Sequence, residues 1–421
     1  MEQTNNYYSF NTFEFLERAK KNYQNYSTRT LPPTFIGFNM NLDYIIKIGN
    51  IDILSVFYEG INNGLFPKNI IQNFTKSFKQ GAAREIVIEK NISFDLLKKM
   101  FPKGRTRIGG QLGLMAEYIS KLFPNWEIHG FLLGEKKDWK QYGVVLPDIN
   151  WITTENPFSV QDINTHLILE YEKGDEITDV NGNVISAPRE NRFIIAFEPE
   201  LKDTQVLSTA FLSYIKNNNE IKSAILAGIH LPWFKSSLKQ LISAIKKIRD
   251  DLLLHLEWTH IEKYYSGLSE LIQLVHSLGF NEQEGIQILS LESSPLQTAN
   301  NASSFDISRI LRNINNKYSL TRLHGHSYGY YAIKDDTSNI TRLRQALMSS
   351  LIALLVCGTN NYSINELTPE NIKGKFNSIH YKDNVSMFYV PLFKNPLQTV
   401  GLGDSISISG FAVYLADKLS V

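Results

Sequence analysis

Short runs of β-branched and aromatic residues alternate with longer amphipathic stretches along most of the chain. "PTFIGFN" is followed by "IGGQLGLMAEYISKLF", then "EIHGFLLG", "KSAILAGIH", "SLKQLISAIKKIRDDL", "LLHLEW" and "IEKYYSGLSELIQLVHSLG". Strand-like and helix-like periods taking turns in this way predict an α/β layer around a mainly parallel sheet. In such sheets a ligand sits beyond the carboxyl ends of the strands. The residues that close each apolar run are therefore the first candidates for chemistry.

Two intervals, 44–105 and 152–192, break the rhythm and are richer in polar residues. The second contains "HLILEYEKGDEITDVNGNVISAPRENRFII", which reads as a strand, an Asn-Gly turn at Asn181 and Gly182, and a returning strand. The α/β pattern resumes after each interval. The expected organisation is a large α/β domain from residues 1–43, 106–151 and 193–421, with a discontinuous α+β lid from 44–105 and 152–192. A lid of this kind closes over a substrate and excludes water.

Composition narrows the partners. The 421 residues are 43% hydrophobic, enough for at least one large core, and 43 Lys plus Arg against 42 Asp plus Glu leave a formal charge of +1. That balance argues against nucleic acid or an anionic membrane as a partner, so an anionic ligand must be held locally. The single cysteine, Cys357, lies in the apolar "LIALLVCGTN" and reads as a buried reduced thiol. The N-terminal "MEQTNNYYSFNTFEFLERAKKNYQ" lacks the basic start and apolar centre of a secretory signal and reads as a helix of a cytoplasmic protein. The longest apolar run, "LMSSLIALLVC", reads as too short and too interrupted by serine to cross a bilayer. Small molecules are the expected partners, and a monomer or weak oligomer the expected state.

Chemistry concentrates in a few stretches. In "TVGLGDSISISGF", Gly401 and Gly403 permit tight turns and Asp404 falls near the start of a helix, where outward N–H groups and the dipole favour an anion. A carboxylate there is placed to take a proton from a hydroxyl attacking a phosphoryl group; the same pattern suits a plain helix cap. Glu257 ends the apolar "HLEW", and Asn281 and Glu284 of "NEQE" share a helical face by their spacing. Two acids and an amide near a phosphate site could hold Mg²⁺ directly or through water, or be solvated surface groups. Asn39, Asn41 and Asp43 in "GFNMNLD", Glu85 in "GAARE", and Gly110 with Gln111 in "GGQLG" offer the amides and carboxylates that grip sugar hydroxyls, and equally suit turns and a helix cap.

Taken in order, "GFNMNLD", "GAARE", "GGQLGLMA", "HLILEY", "PRENRFI", "HLEW", "SLGFNEQE", "RLHGHSYGYY" and "VPLFKNPLQTVGLGDSIS" resemble the ADP-dependent glucokinase and phosphofructokinase family over about residues 35–411. The resemblance implies a ribokinase-like fold, a large α/β domain covered by a lid, and transfer of the β-phosphoryl of ADP to a sugar with release of AMP. It implies Asp404 as base, Gly401 to Gly403 as anion hole, and Glu257, Glu284 and Asp404 around one or more Mg²⁺ ions. It places Asn281, His326, Ser327, Phe393 and Gly403 against the nucleotide, with serine at 327 where the family has threonine. Trp258 and Thr259 after the metal acid also depart from the family's usual aromatic and small residues.

On the sugar side the resemblance assigns Asp43, Glu85, Gly110, Gln111 and His166 to the hexose. Glu85 points to glucose, because dedicated phosphofructokinases of the family tend to carry a small apolar residue there and gather basic residues for the 6-phosphate. Arg189 and Arg192 of "PRENR" occur in both branches. The expected reaction is ADP plus D-glucose to AMP plus glucose 6-phosphate. Fructose 6-phosphate as an acceptor, an ATP-using ribokinase-type enzyme, and a non-catalytic sensor are the alternatives.

Overall fold

The computed structural model describes residues 3–4, 7–49, 51–82, 84–90, 92–132, 134–153, 163–179, 181–198, 205–248, 252–261, 266–291, 307–327, 329–359, 362–381, 383–394, 396 and 402–419. The apolar runs form a twelve-stranded sheet. Seven of its strands are parallel, in the order Asn150–Ile152, Trp126–Phe131, Leu31–Gly37, Ser223–Leu226, Leu253–Glu257, Ser277–Asn281 and Arg322–Ser327. An antiparallel edge of Tyr330–Lys334, Val385–Tyr389 and Phe376–Tyr381 follows, and the N-terminal pieces Gln3–Thr4 and Ser9–Phe10 both pair with Phe376–Tyr381.

Alternate residues of these strands face opposite helical layers, as the two-residue period requires. Ile36, Ile225 and Tyr331 pack with Thr12–Ser27, Gly110–Leu122, Asn339–Gly358 and Leu402–Leu419. Phe35, Leu226 and Ala332 pack with Gln205–Asn217, Pro232–Ile245, Leu268–Leu274 and Ile307–Tyr318. The expected α/β class with a mainly parallel sheet is therefore what the chain adopts.

The N-terminal helix runs Thr12–Ser27, started by a capping box in which Asn11 and Glu14 satisfy each other's backbone N–H groups. "IEKYYSGLSELIQLVHSLG" does not remain helical to its end. The helix stops at Leu274, and Ser277–Asn281 becomes a central strand. Pairing on both sides, with Leu253–Glu257 and Arg322–Ser327, outweighs the local helical period.

The run around "LMSSLIALLVC" is also longer than its sequence suggests. It lies in a 20-residue helix, Asn339–Gly358, long and apolar enough to cross a membrane by length and composition, with 89% of its most apolar window buried. Ser338 caps it through the Thr341 N–H, and it packs along Leu402–Leu419. Its serines are internally satisfied: Ser349 Oγ donates to the Ile406 carbonyl at 2.8 Å and Ser350 Oγ to Ala346 at 2.6 Å. Cys357 lies buried on the same helix, and burial pushes its thiol up to about 11.

A second sheet has five strands in the order Arg84–Ile88, Asn191–Phe197, Thr165–Tyr171, Asn41–Lys47 and Arg105–Gly109. Its strands run through residues 43, 105 and 192, where the sequence placed the crossings between large domain and lid. The Asn-Gly turn lies between the paired strands Glu176–Thr178 and Val184–Ser186, and Gly182 has φ +81°. This small hairpin hangs between the longer antiparallel pair Thr165–Tyr171 and Asn191–Phe197.

Candidate active site

One cavity of about 280 Å³ gathers most of the sequence-derived candidates: Asp43, Glu85, Gly110, Gln111, His166, Glu257, Asn281, Glu284, His326, Gly403 and Asp404 all line it. The large sheet contributes the carboxyl ends of adjacent parallel strands, which carry Glu257, Asn281 and His326. The five-stranded sheet contributes one face. Asn41 and Asp43, His166 and Ile168, Arg192 and Ile194 are each two residues apart, and the strand register sets Asp43 beside His166 and Ile194 beside both Ile168 and Glu85. Two helix starts complete the wall: Gly110–Leu122 brings Gln111, and Leu402–Leu419 brings Asp404 in its first turn.

Gly110 has to be glycine. Its φ is +74°, and a Cβ would stand 2.5 Å from the Asn39 carbonyl oxygen. The turn lets Leu112 N–H bond that carbonyl at 2.8 Å and swings Gln111 inward. Gln111 Oε1 accepts from Gly228 N–H at 2.9 Å and from Thr259 Oγ1 at 2.7 Å. With its oxygen held twice, the amide N–H side is left for Asp404, whose carboxylate it hydrogen-bonds. Thr259 thus orients the residue that orients the acid.

The acids repel one another. Burial pushes Asp404 up to about 6, against the hydrogen bond from Gln111 and the charge of Arg192. Glu284 rises to about 8 through burial first, with the Asp404 charge adding to it and the Asn281 hydrogen bonds opposing. Glu257 is raised well above the usual carboxylate range by burial, with Asp404 and Glu284 contributing and Ser407 opposing. Two buried carboxylates and a half-buried third that destabilise one another in this way are what a divalent cation would relieve, so the residues fit a Mg²⁺ site.

Glu257 is tightly held. Ser407 Oγ donates to its Oε2, and His255 Nε2 lies 3.2 Å from the same oxygen. Burial, with the nearby charge of Arg322, keeps His255 neutral, so the contact is a hydrogen bond rather than an ion pair. Arg322 Nη1 donates to Ser277 Oγ at 3.0 Å, and Ser277 stands 2.8 Å from His255 Nδ1. The chain Arg322, Ser277, His255, Glu257 thus donates consistently toward the carboxylate.

Asn281 and Glu284 do more locally than share a face. Asn281 caps the helix Glu282–Ser290: its Oδ1 accepts from Glu284 N–H at 3.0 Å, and Glu284 Oε2 accepts from Asn281 N–H at 2.8 Å. The capping box fixes both side chains at the rim of the cavity. His326 is held neutral, lowered to about 4 by burial, and its Nε2 is 3.0 Å from where a Cβ on Gly403 would stand.

At the other end, Asp43 Oδ1 accepts from Asn41 Nδ2 at 2.6 Å and Oδ2 from Arg107 Nε at 3.2 Å. His166 lies 4.0 Å from Asp43 and 3.4 Å from Glu198, the latter an ion contact without good hydrogen-bond geometry. Burial alone would depress His166, but Glu198, Glu85 and Asp43 overcome it and raise it to about 9. Arg192 faces the cavity, whereas Arg189 bonds the Gly81 carbonyl at 2.7 Å.

Two candidates fall elsewhere. Ser327 and Phe393 are outside the residues lining the cavity; Phe393 packs against Gly358, where an added Cβ would stand 2.1 Å from its ring. Gly401 lies outside the described residues. Sequence reasoning missed His230, which lines the cavity, and Glu198, buried at 1%. His230 had a signal, as the polar end of the apolar run "KSAILAGIH"; Glu198, after "NRFIIAF" in an acidic stretch, had none beyond its position at a strand end.

Together, fold and cavity define an α/β enzyme with a half-buried acid at one helix start, further acids at a strand end and a second helix start, and a polar pocket beside them. The chain belongs to the ADP-specific phosphofructokinase/glucokinase family, whose conserved region matches residues 32–413, and it is an ADP-dependent sugar kinase. It is 24% identical to a probable ADP-dependent glucokinase of Caenorhabditis elegans, over 89% of this chain and 84% of that one. It is 22% identical to an ADP-dependent glucose/glucosamine kinase of Pyrococcus furiosus, over 89% and 92%. Its fold matches a solved ADP-dependent kinase in complex with fructose 6-phosphate and ADPβS, with a TM-score of 0.69 at 18% identity, over 97% of this chain and 99% of that one.

Proposed function

We propose that the protein is an ADP-dependent glucokinase, converting ADP and D-glucose to AMP and glucose 6-phosphate. The observation that carries this reading is the acceptor-rich sugar end of the cavity. Asp43 and Glu85 line it, and the buried Asn39 Oδ1 and Asn41 Oδ1 have no hydrogen-bond partner there. A neutral hexose supplies hydroxyl donors to such acceptors, whereas a phosphate dianion would meet carboxylates.

In this reading Asp404 takes the proton of the attacking sugar hydroxyl. A pKa of about 6 leaves it mostly ionised at neutral pH yet basic enough to accept that proton. Gln111, fixed by Gly228 and Thr259, holds the carboxylate in line. Neutral His326, Asn281 and the backbone at Gly403 border the phosphates of the nucleotide. Glu257, Glu284 and Asp404 would hold Mg²⁺, which when bound neutralises charge on the phosphate oxygens. The five-stranded sheet acts as the lid, closing its polar face over the sugar and excluding water.

Fructose 6-phosphate is the second reading, favoured by Arg192 in the cavity wall. Its guanidinium is already offset, however, by the charges of Glu85, Glu170 and Asp43. A panel of glucose, glucosamine and fructose 6-phosphate against ADP and ATP, following AMP release, tests the assignment. The expected result is the highest kcat/KM with glucose and ADP; a preference for fructose 6-phosphate would overturn it.

A further inference from the structure

We propose that Glu85, Glu198 and His230 form a binding site for a borderline divalent cation of the Zn²⁺ class at the sugar end of the cavity, distinct from the Glu257–Glu284–Asp404 acids. One ligand atom from each residue lies within 4.8 Å of the others. They come from separate elements. Glu85 is on the strand Arg84–Ile88, Glu198 follows Asn191–Phe197 with its N–H bonded to the Ile88 carbonyl at 3.1 Å, and His230 follows Ser223–Leu226 of the large sheet.

A second observation points to a cation. Glu198 is 1% exposed, and neither of its carboxylate oxygens has a hydrogen-bond partner among the described residues. His166 lies 3.4 Å away in a contact without hydrogen-bond geometry. The buried Nδ1 of His230 has no partner either. An unbonded buried carboxylate is costly, and a directly coordinated cation is the strongest remedy available to it.

The donor set selects the ion. One imidazole nitrogen and two carboxylate oxygens suit Zn²⁺, which takes such ligands at about 2.0–2.2 Å, and suit poorly Mg²⁺, which prefers oxygen and keeps its waters. Glu85 is the exposed member of the three. A bound ion would join the five-stranded sheet to the large domain. Given the reading of Glu85 as a hexose contact, on which this step rests, the ion would compete with glucose.

Calorimetric titration of the full chain with ZnCl₂ tests the site, in millimolar Mg²⁺ to occupy the other acids and without nucleotide or sugar. The expected result is one ion per chain, with affinity weakened in both Glu198→Gln and His230→Gln by at least the ten- to hundred-fold, roughly, that loss of even a supporting partner costs. Co²⁺ added to the unaltered protein should give the visible absorption of a low-coordinate site, a readout independent of how the variants fold. Saturating glucose should weaken Zn²⁺ binding. Absence of Zn²⁺ and Co²⁺ binding, or binding unchanged in both folded variants, overturns the proposal. Binding that needs Glu198 and His230 but ignores glucose upholds the cation site and instead removes Glu85 from the hexose contacts.

Discussion

Gly279 gives Glu257 the room it occupies. The two residues are register partners on adjacent parallel strands, and a Cβ at 279 would lie 2.0 Å from Glu257 Oε2 and 2.5 Å from Ser407 Oγ. That is about 1.4 Å short of ordinary contact with the carboxylate. The strands cannot part without breaking a central ladder, so the carboxylate must leave Ser407 and His255. Overpacking costs about 1–3 kcal/mol and each lost hydrogen bond about 1 kcal/mol, while alanine's smaller chain entropy returns about 0.5–1 kcal/mol. Gly279→Ala should therefore destabilise the protein by about 2–4 kcal/mol and raise the Mg²⁺ concentration needed for half-maximal transfer. Urea denaturation and a Mg²⁺ titration of AMP release measure the two effects. In a Glu257→Ala background the cost of Gly279→Ala should shrink, since the obstacle is gone. An unchanged urea midpoint with unchanged Mg²⁺ dependence would refute the packing argument.

Three further outcomes follow from the charges at the two ends of the cavity. The folded pKa of His166, about 9, lies above its ordinary value of 6.5, so its contribution is complete below about pH 6.5 and is lost as pH rises through about 9. Unfolding free energies near pH 6 and near pH 10 should differ by on the order of 3 kcal/mol more in the wild type than in His166→Gln; equal differences would remove the ion contact from the account. Asp404 must be ionised to accept a proton, so at limiting Mg²⁺ kcat/KM should fall on the acid side of about pH 6, and the limb should move lower as Mg²⁺ is raised. A profile flat to about pH 4 at limiting Mg²⁺ would contradict the burial argument. Glu85→Gln should raise KM for glucose roughly ten- to hundred-fold, the value of a hydrogen bond to a charged group, with KM for ADP nearly unchanged; an equal effect on both substrates would place Glu85 elsewhere in the cycle.

Much of this arrangement is legible in the sequence because parallel sheets put chemistry at strand ends. Glu257, Asn281 and His326 each close or nearly close an apolar run, and the structure sets them side by side in the cavity. Asp404 is readable from the glycines before it and the helix after it. What is not legible depends on contacts distant in sequence. "VHSLG" reads as helix until it is flanked by two strands. The crossings expected from composition at residues 43, 105 and 192 fall within strands, because Asn41–Lys47, Arg105–Gly109 and Asn191–Phe197 carry the pairing through residues where composition changes. Glu198 meets Glu85 and His230 only through the pairing of two strands and the approach of a loop from the other sheet. The second role of Asn281 and Glu284, a capping box, was written in their spacing, which serves a helix start as well as a shared face.

The central claim is that the Asp404 carboxylate takes the proton during phosphoryl transfer. Single-turnover transfer from ADP to glucose by Asp404→Asn, alongside calorimetric binding of glucose to the same variant, tests it most directly. The account predicts a transfer rate lowered by at least roughly 10²- to 10⁴-fold, with glucose affinity within a few-fold of wild type. Transfer at a near-normal rate by the folded variant would contradict it.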